Sequence, residues 1–313
     1  MPATNCTANV PRKHQYAFSL SGVTTLSKII AADSFGLQSK ESKLKAGGNN
    51  GSLFARSSDY VRNTLAVNGP VVHSPRPDEL RWMLPLLTGG SFSSNIIKVG
   101  GICPFFRAGH FDASAGINTV FLYKDCVTSK AVFSSSDGAG GFLNLNWDIE
   151  ARDSSQELAN TWPSGMALSS QQPFVHVQSV LTVDSVATRI KNASVTIDHR
   201  LQTDQYFNAR IREDFPQDDP LIQLAFESPF DSASDLALTN LTGAISATLV
   251  YTNGALSLSF SLPCLQYVER PAEPTVGAKN TRVTNQYTFE ACLLDTDNPA
   301  TDSPLVITLD DTP

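Results

Sequence analysis

The stretch from Ala244 to Leu262 constrains this chain more than any other. Thr248, Leu249, Val250 and Tyr251 read as an outgoing strand and Asn253-Gly254 as a turn. On the return, Leu256, Leu258, Phe260 and Leu262 alternate with Ser257, Ser259 and Ser261. Asn-Gly between alternating runs is the strongest short-range hairpin signal, because both residues accept positive φ. Successive strand side chains point to opposite faces, so the Leu/Phe face must be buried and the serine face is small, polar and uncharged.

A second hairpin of the same kind lies earlier. Val127 to Phe133 runs into Ser136-Asp137-Gly138, after which Leu143, Leu145, Trp147 and Ile149 alternate with Asn144, Asn146, Asp148 and Glu150. The two return strands align at an offset of 113 residues (143 to 256). Downstream, Phe174–Leu181 resembles Gln286–Leu293 at 112 (174 to 286), and Val195–Asp198 resembles Val306–Leu309 at 111 (195 to 306). Three matches in one order at nearly constant spacing predict an internal duplication. The expected division is an N-terminal arm over 1–45, a first domain over 46–168 and a second over 169–313.

Helix is scarce. Ser74-Pro-Arg-Pro-Asp-Glu suits a helix N-terminus, and Leu80, Met83, Leu84 and Leu87 follow with the spacing of a buried stripe. Pro85 is expected to distort the last turn and Gly89-Gly90 to end it. A short helix is also expected over Ser232 to Leu241. These two helices are farther apart than the two hairpins, which an insertion near 91–124 explains. The polar, Gly-rich stretch 35–57 reads as a long loop or hairpin arm.

A length of 313 residues suits two domains or one large one. With 41% hydrophobic residues and 17 Phe, the chain has enough apolar side chains for a core, which excludes global disorder. A formal charge of −7 excludes a general attraction to the nucleic-acid backbone. The five cysteines (Cys6, Cys103, Cys126, Cys264, Cys292) show no CxxC and no metal-ligand spacing, and are expected to be buried small apolar residues. The N-terminal MPATNCTANVPRKHQYAFSL has no unbroken apolar core of the kind a signal peptide needs, and no stretch is long and apolar enough to span a membrane. The expectation is a chain made and folded in a reducing cytoplasm, where the sequons at Asn5, Asn50, Asn192 and Asn240 mean little.

No motif for catalysis stands out: GxSxG, HExxH, Walker and GxGxxG patterns are all missing. Asp198-His199 reads as a surface pair at a strand end, since strand neighbours point apart. Asp295, Asp297 and Asn298 look oxygen-rich but lack the later Gly and Glu of a calcium loop, so a solvated turn is expected. Arg210 to Asp214 and Asp218-Asp219 read as a solvated loop or a subunit contact. Trp82, Trp147 and Trp162 read as core or interface residues. No catalytic, cofactor-binding or metal-binding residue is predicted, and no cofactor.

The order of these features resembles a known family. The carriers are the Pro-Asp-Glu-Leu helix ending in Leu-Leu-Thr-Gly-Gly (77–90), the run Phe121-Leu-Tyr-Lys-Asp-Cys-Val127 and the hairpin SSSDGAGGFLNLNWDI (134–149). Leu262-Pro-Cys-Leu-Gln-Tyr267, the Pro/Glu linker from Glu269 to Val276 and the Tyr-Thr-Phe-Glu-Ala strand (287–291) follow. From about residue 45 onward the chain is similar to the duplicated form of the major tail tube proteins of long-tailed, siphovirus-type bacteriophages. The resemblance implies a mainly β chain. It would have two tandem β-sandwich or partial-barrel domains with short helices, contributing strands to a ring-shaped barrel. It implies homotrimeric, pseudo-hexameric rings stacked into a tube in the virion tail, made in the bacterial host cytoplasm. Tape measure, tail terminator and distal tail proteins are the partners it implies. Genomic DNA would cross the lumen without specific binding, and no membrane is involved. It further implies that the N-terminal arm and the 35–57 loop reach neighbouring rings.

Physical chemistry supports that reading in three places. Open strand edges invite partner strands, and a closed ring satisfies them. Strands with one apolar and one Ser/Asn face suit a wall that meets water. An acidic chain repels phosphate, whereas a basic lining would hold DNA by counterion release. The rival readings are another β-rich virion component, such as a distal tail or decoration protein, then a carbohydrate-binding β-sandwich module, then a hydrolase.

Overall fold

The computed structural model describes residues 14–45, 60–113, 118–138, 141–229, 243–268, 284–294, 296–298 and 302–312. In chain order the strands are β1 (His14–Phe18), β2 (Lys28–Ile30), β3 (Ser34–Phe35), β4 (Gln38–Lys45) and β5 (Tyr60–His73). After helix α1 (Pro77–Thr88) come β6 (Ile96–Lys98), β7 (Phe106–Asp112), β8 (Thr119–Ser136), β9 (Asn144–Leu158), β10 (Ser179–Val183), β11 (Val186–Thr188) and β12 (Asn192–Asp198). The last five are β13 (Leu221–Pro229), β14 (Ile245–Asn253), β15 (Leu256–Tyr267), β16 (Thr284–Ala291) and β17 (Val306–Asp310). The protein is mainly β, with one large hydrogen-bonded sheet that does not close into a barrel.

Both expected hairpins form. In β14–β15, Asn253 stays in the strand opposite Leu256, so the turn falls on Gly254 and Ala255, one residue later than the sequence suggests. Gly254 takes φ 63°, and glycine at the first turn position is what a mirror-image hairpin turn needs. In β8–β9, Ala131 lies opposite Trp147 and Phe133 opposite Leu145. The outgoing strand starts at Thr119 and so takes in the aromatic run. Leu258, Phe260, Leu262, Leu145, Trp147 and Ile149 are all buried, as the alternation requires.

Each hairpin is flanked by one more strand on either side, and the registers correspond. Unit I is β12–β8–β9–β5, with Ile197 opposite Ala131 and Trp147 opposite Val71. Unit II is β10–β14–β15–β17, with Leu181 opposite Leu249 and Phe260 opposite Ile307. The flanking strands reach these places by a different chain order: β5 precedes its hairpin and β17 follows its own. The downstream sequence matches therefore join segments in different settings. Val195–Asp198 pairs with the outgoing strand β8, whereas Val306–Leu309 pairs with the return strand β15.

The apolar faces of the two units contribute to one core cluster, which runs from Phe18 to Leu309 and draws on both halves of the chain. The Phe133 and Phe260 rings, one from each hairpin, lie 5.2 Å apart between centroids. Ser135 from unit I hydrogen-bonds Tyr251 of unit II at 2.8 Å and His176 at 2.9 Å. Strand pairing also crosses residue 168, through β8–β12 and β6–β17.

Helix α1 covers the core beside β8, β15 and β17. Leu80, Met83, Leu84 and Leu87 are buried, each contributing about 1.5–3 kcal/mol of apolar burial. The Arg76 backbone N–H donates to Glu79 at 2.9 Å, which satisfies one donor at the helix start. Pro85 lies within the helix, which continues to Thr88 before Gly89 turns left-handed at φ 69°. At Gly90 a Cβ would fall 2.2 Å from the Lys98 carbonyl oxygen, so only glycine fits that approach.

The expected helix over 232–241 lies outside the described residues. The stretch 91–124, where an insertion is expected, carries β6, β7 and the start of β8 among its described residues. Of the stretch 35–57, Phe35 ends β3, β4 pairs along β5 to Lys45, and residues 46–57 lie outside the described residues. Of the residues assigned to an arm, His14–Phe18 is integrated in the sheet between β2 and β7.

Candidate interaction surfaces

Among the described residues, the two free cysteines and Ser135 are bound into the fold. Burial pushes the Cys103 thiol up to about 12 and moves Cys126 upward as well, away from reactivity. The Ser135 hydroxyl, buried between His176 and Tyr251, ties the two hairpins together. Among the described residues no three His, Cys, Asp or Glu side chains are grouped to hold a metal ion. No helix among them is long and apolar enough to cross a membrane.

Three expectations change. Cys264 and Cys292 form a disulfide, with Cα atoms 5.3 Å apart. Leu265 lies opposite Ala291 at the β15–β16 splice, and this long-range register brings the two cysteines together across 28 residues. Cys103 and Cys126 are buried free thiols, as predicted, and Cys6 lies outside the described residues. His199 is buried rather than on the surface: its Nε2–H donates to the Leu87 carbonyl at 2.8 Å, anchoring the end of α1. Asp198 does point outward, 4.0 Å from Lys130.

The mixed-charge run is also only partly solvated. Arg212 is buried, paired with Glu150 of β9 and hydrogen-bonded to the Tyr206 hydroxyl at 3.2 Å. Arg210 reaches Glu41 at 3.1 Å, so the run docks on the sheet. Asp297 closes a small turn by accepting from the Leu294 N–H at 2.9 Å. Asp295 and Pro299 lie outside the described residues. Trp147 is fully buried, and Trp162 donates to Gln15 at 2.8 Å.

A groove of about 930 Å³ opens between β4, β7 and β9. It holds His110, whose imidazole burial and the neighbouring His14 keep below its ordinary range. The groove is open and mixed in character, with Leu65, Phe121 and Tyr123 beside Glu41, Asp112 and Arg210.

The broadest features are the two outer faces. The unit I face extends over β5, β9, β8, β12, β13 and β16 in continuous register. One row reads Asn146, Val132, Thr196, Gln223, Glu290, and the next reads Asn144, Ser134, Ser194, Ala225, Thr288. Lys130 pairs with Asp198, and Lys191 with Glu227 at 3.3 Å. Hydrogen bonds from Thr284, Lys191 and Asn192 hold the Glu227 carboxyl below its usual range. Burial raises Asp148, although Lys130 pulls it down. Among the described side chains of these six strands, the exposed large apolar ones are Tyr60 and Leu158, both at strand ends.

The unit II face differs. Its central row reads Val180, Val250, Ser259, Thr308, Ile96. Val180 is 54% exposed and Ile96 43%, and Val177 beside β10 is 88% exposed. Sequence reasoning found the serines of this face but not the valine row, because β10 and β6 join it only through long-range pairing.

In comparisons with known proteins, a family model described as Phage tail tube protein matches residues 48–291. No curated protein matches the chain.

Proposed function

The chain belongs to the phage tail tube protein family, and we propose that copies of it close into rings that stack as the hollow tail through which the genome leaves. It acts as a structural virion protein and not as an enzyme. The family match carries this reading. The folded chain supports it with an open sheet in which strands β2, β4 and β11 each have one partner strand among the described residues. Unpaired strand edges are held safely when further copies cover them. Tape measure, terminator and distal tail proteins would meet the ends of such a tube, and DNA would pass without specific binding.

Two stoichiometries follow from two ways of counting. Tandem domains over 46–168 and 169–313 would make the ring a trimer with pseudo-sixfold symmetry. The common core between units I and II favours one ring position per chain, hence six chains in a sixfold ring. Electron microscopy of the purified protein tests the function, and the mass of an isolated ring tests the count. Hollow stacked tubes are the expected result. A protein that stays monomeric at every salt concentration would overturn the proposal.

A further inference from the structure

Resting on the tube reading, we infer that the sandwich is sided: the unit I face forms the wall that a passing duplex polyanion meets, and the unit II face is turned away from it. The two faces are built by equivalent strands, so the difference lies in their side chains. The unit I face presents Asn, Ser, Thr, Gln and Glu, interrupted by Val132 and Ala225, at successive registers over the five strands β9, β8, β12, β13 and β16, and among the described residues its exposed large apolar groups, Tyr60 and Leu158, sit at strand ends. Such a surface tolerates permanent contact with water. The unit II face carries Val180 and Ile96 at the two ends of one row, with Val177 alongside. Apolar side chains exposed in this way gain by being covered by protein.

Charge points the same way. On the unit I face Lys130 and Lys191 are each within ion-pair distance of an acid, Asp198 and Glu227. Asp148 and Glu290 add further negative charge. Among the described residues this face presents no cation cluster that could exchange phosphate counterions and hold the duplex, so the polyanion meets a hydrated, weakly repelling surface. The paired lysines limit the repulsion while leaving no site that grips.

The test uses full-length protein carrying Cys6→Ala, which leaves two buried thiols and one disulfide among the cysteines. Ser194→Cys places a thiol on the unit I face and Ser259→Cys on the unit II face, with Thr196→Cys as a second unit I probe should Ser194→Cys not assemble. Each is reacted, free and as assembled tubes, with a small maleimide and with a maleimide carried on a globular protein too wide for the pore. On assembly the unit I thiol should lose its reaction with the wide reagent and keep its reaction with the small one. The unit II thiol should lose both or keep both. A unit I thiol that in tubes still reacts with the wide reagent, or is closed to both, overturns the sidedness. Absence of tubes for every variant and the parent would instead count against the tube reading itself.

Discussion

The Trp147 indole N–H donates to the Thr128 hydroxyl oxygen at 3.0 Å, and that hydroxyl donates in turn to the Leu86 carbonyl of α1 at 2.6 Å. One buried threonine thus satisfies a core tryptophan and a carbonyl near the helix end. Thr128→Val keeps the shape and strands both groups, at about 1–3 kcal/mol for each unsatisfied partner. Thr128→Ser should retain most of the stability. Urea unfolding followed by Trp fluorescence measures the difference, and equal midpoints for Val and Ser would refute the linkage.

His73 and Glu79 lie 4.0 Å apart at the start of α1. Burial, with Arg76 nearby, lowers the His73 imidazole to about 4, while burial raises the Glu79 carboxyl to about 7. The two act in opposite senses. As pH falls from about 6.5 to 4 the unfolded chain protonates His73 first, which costs stability; as pH rises from about 4.5 to 7 it deprotonates Glu79 first, which also costs stability. Their slopes cancel in the shared window. Glu79→Gln should therefore show stability rising with pH between about 4 and 6.5, by about 3 kcal/mol, and His73→Gln the reverse trend. Chemical denaturation across that range reads both; parallel profiles for the two variants would contradict the assignment.

Buried Arg212 is held by Glu150 and stacks its charge over Tyr206 and Phe215 at 5.8 and 5.7 Å. Arg212→Ala or Glu150→Ala alone should cost about 3–5 kcal/mol by leaving a buried charge alone. Arg212→Met with Glu150→Met together should recover much of that loss. A double-mutant cycle on thermal unfolding decides, and strictly additive losses would show that the pair is not coupled.

Opening the Cys264–Cys292 bond should destabilise the protein by about 3.6 kcal/mol, the chain-entropy value for a loop of this length. Cys264→Ser with Cys292→Ser, compared with wild type in the presence and absence of dithiothreitol, provides the measurement. The reductant should lower the wild-type melting temperature and leave the double variant unchanged. A wild-type curve indifferent to reductant would mean that the bond contributes nothing.

Period-two alternation and a turn dipeptide were enough to read both hairpins, the helix with its buried Leu/Met stripe and the burial of Trp147, because each is set by neighbours close along the chain. The tail tube resemblance was likewise visible in such local motifs. What lay beyond sequence was every relationship made by pairing distant strands. The Cys264–Cys292 bond depends on the β15–β16 register, the anchoring of α1 by His199 on where β12 joins β8, and the Val180–Ile96 row on strands over 80 residues apart. The two hairpins show the division most clearly. Their alternation determined that each had one face to bury; only the tertiary structure decided that they bury those faces against each other, because apolar surface is non-directional and takes whichever partner the connecting chain delivers.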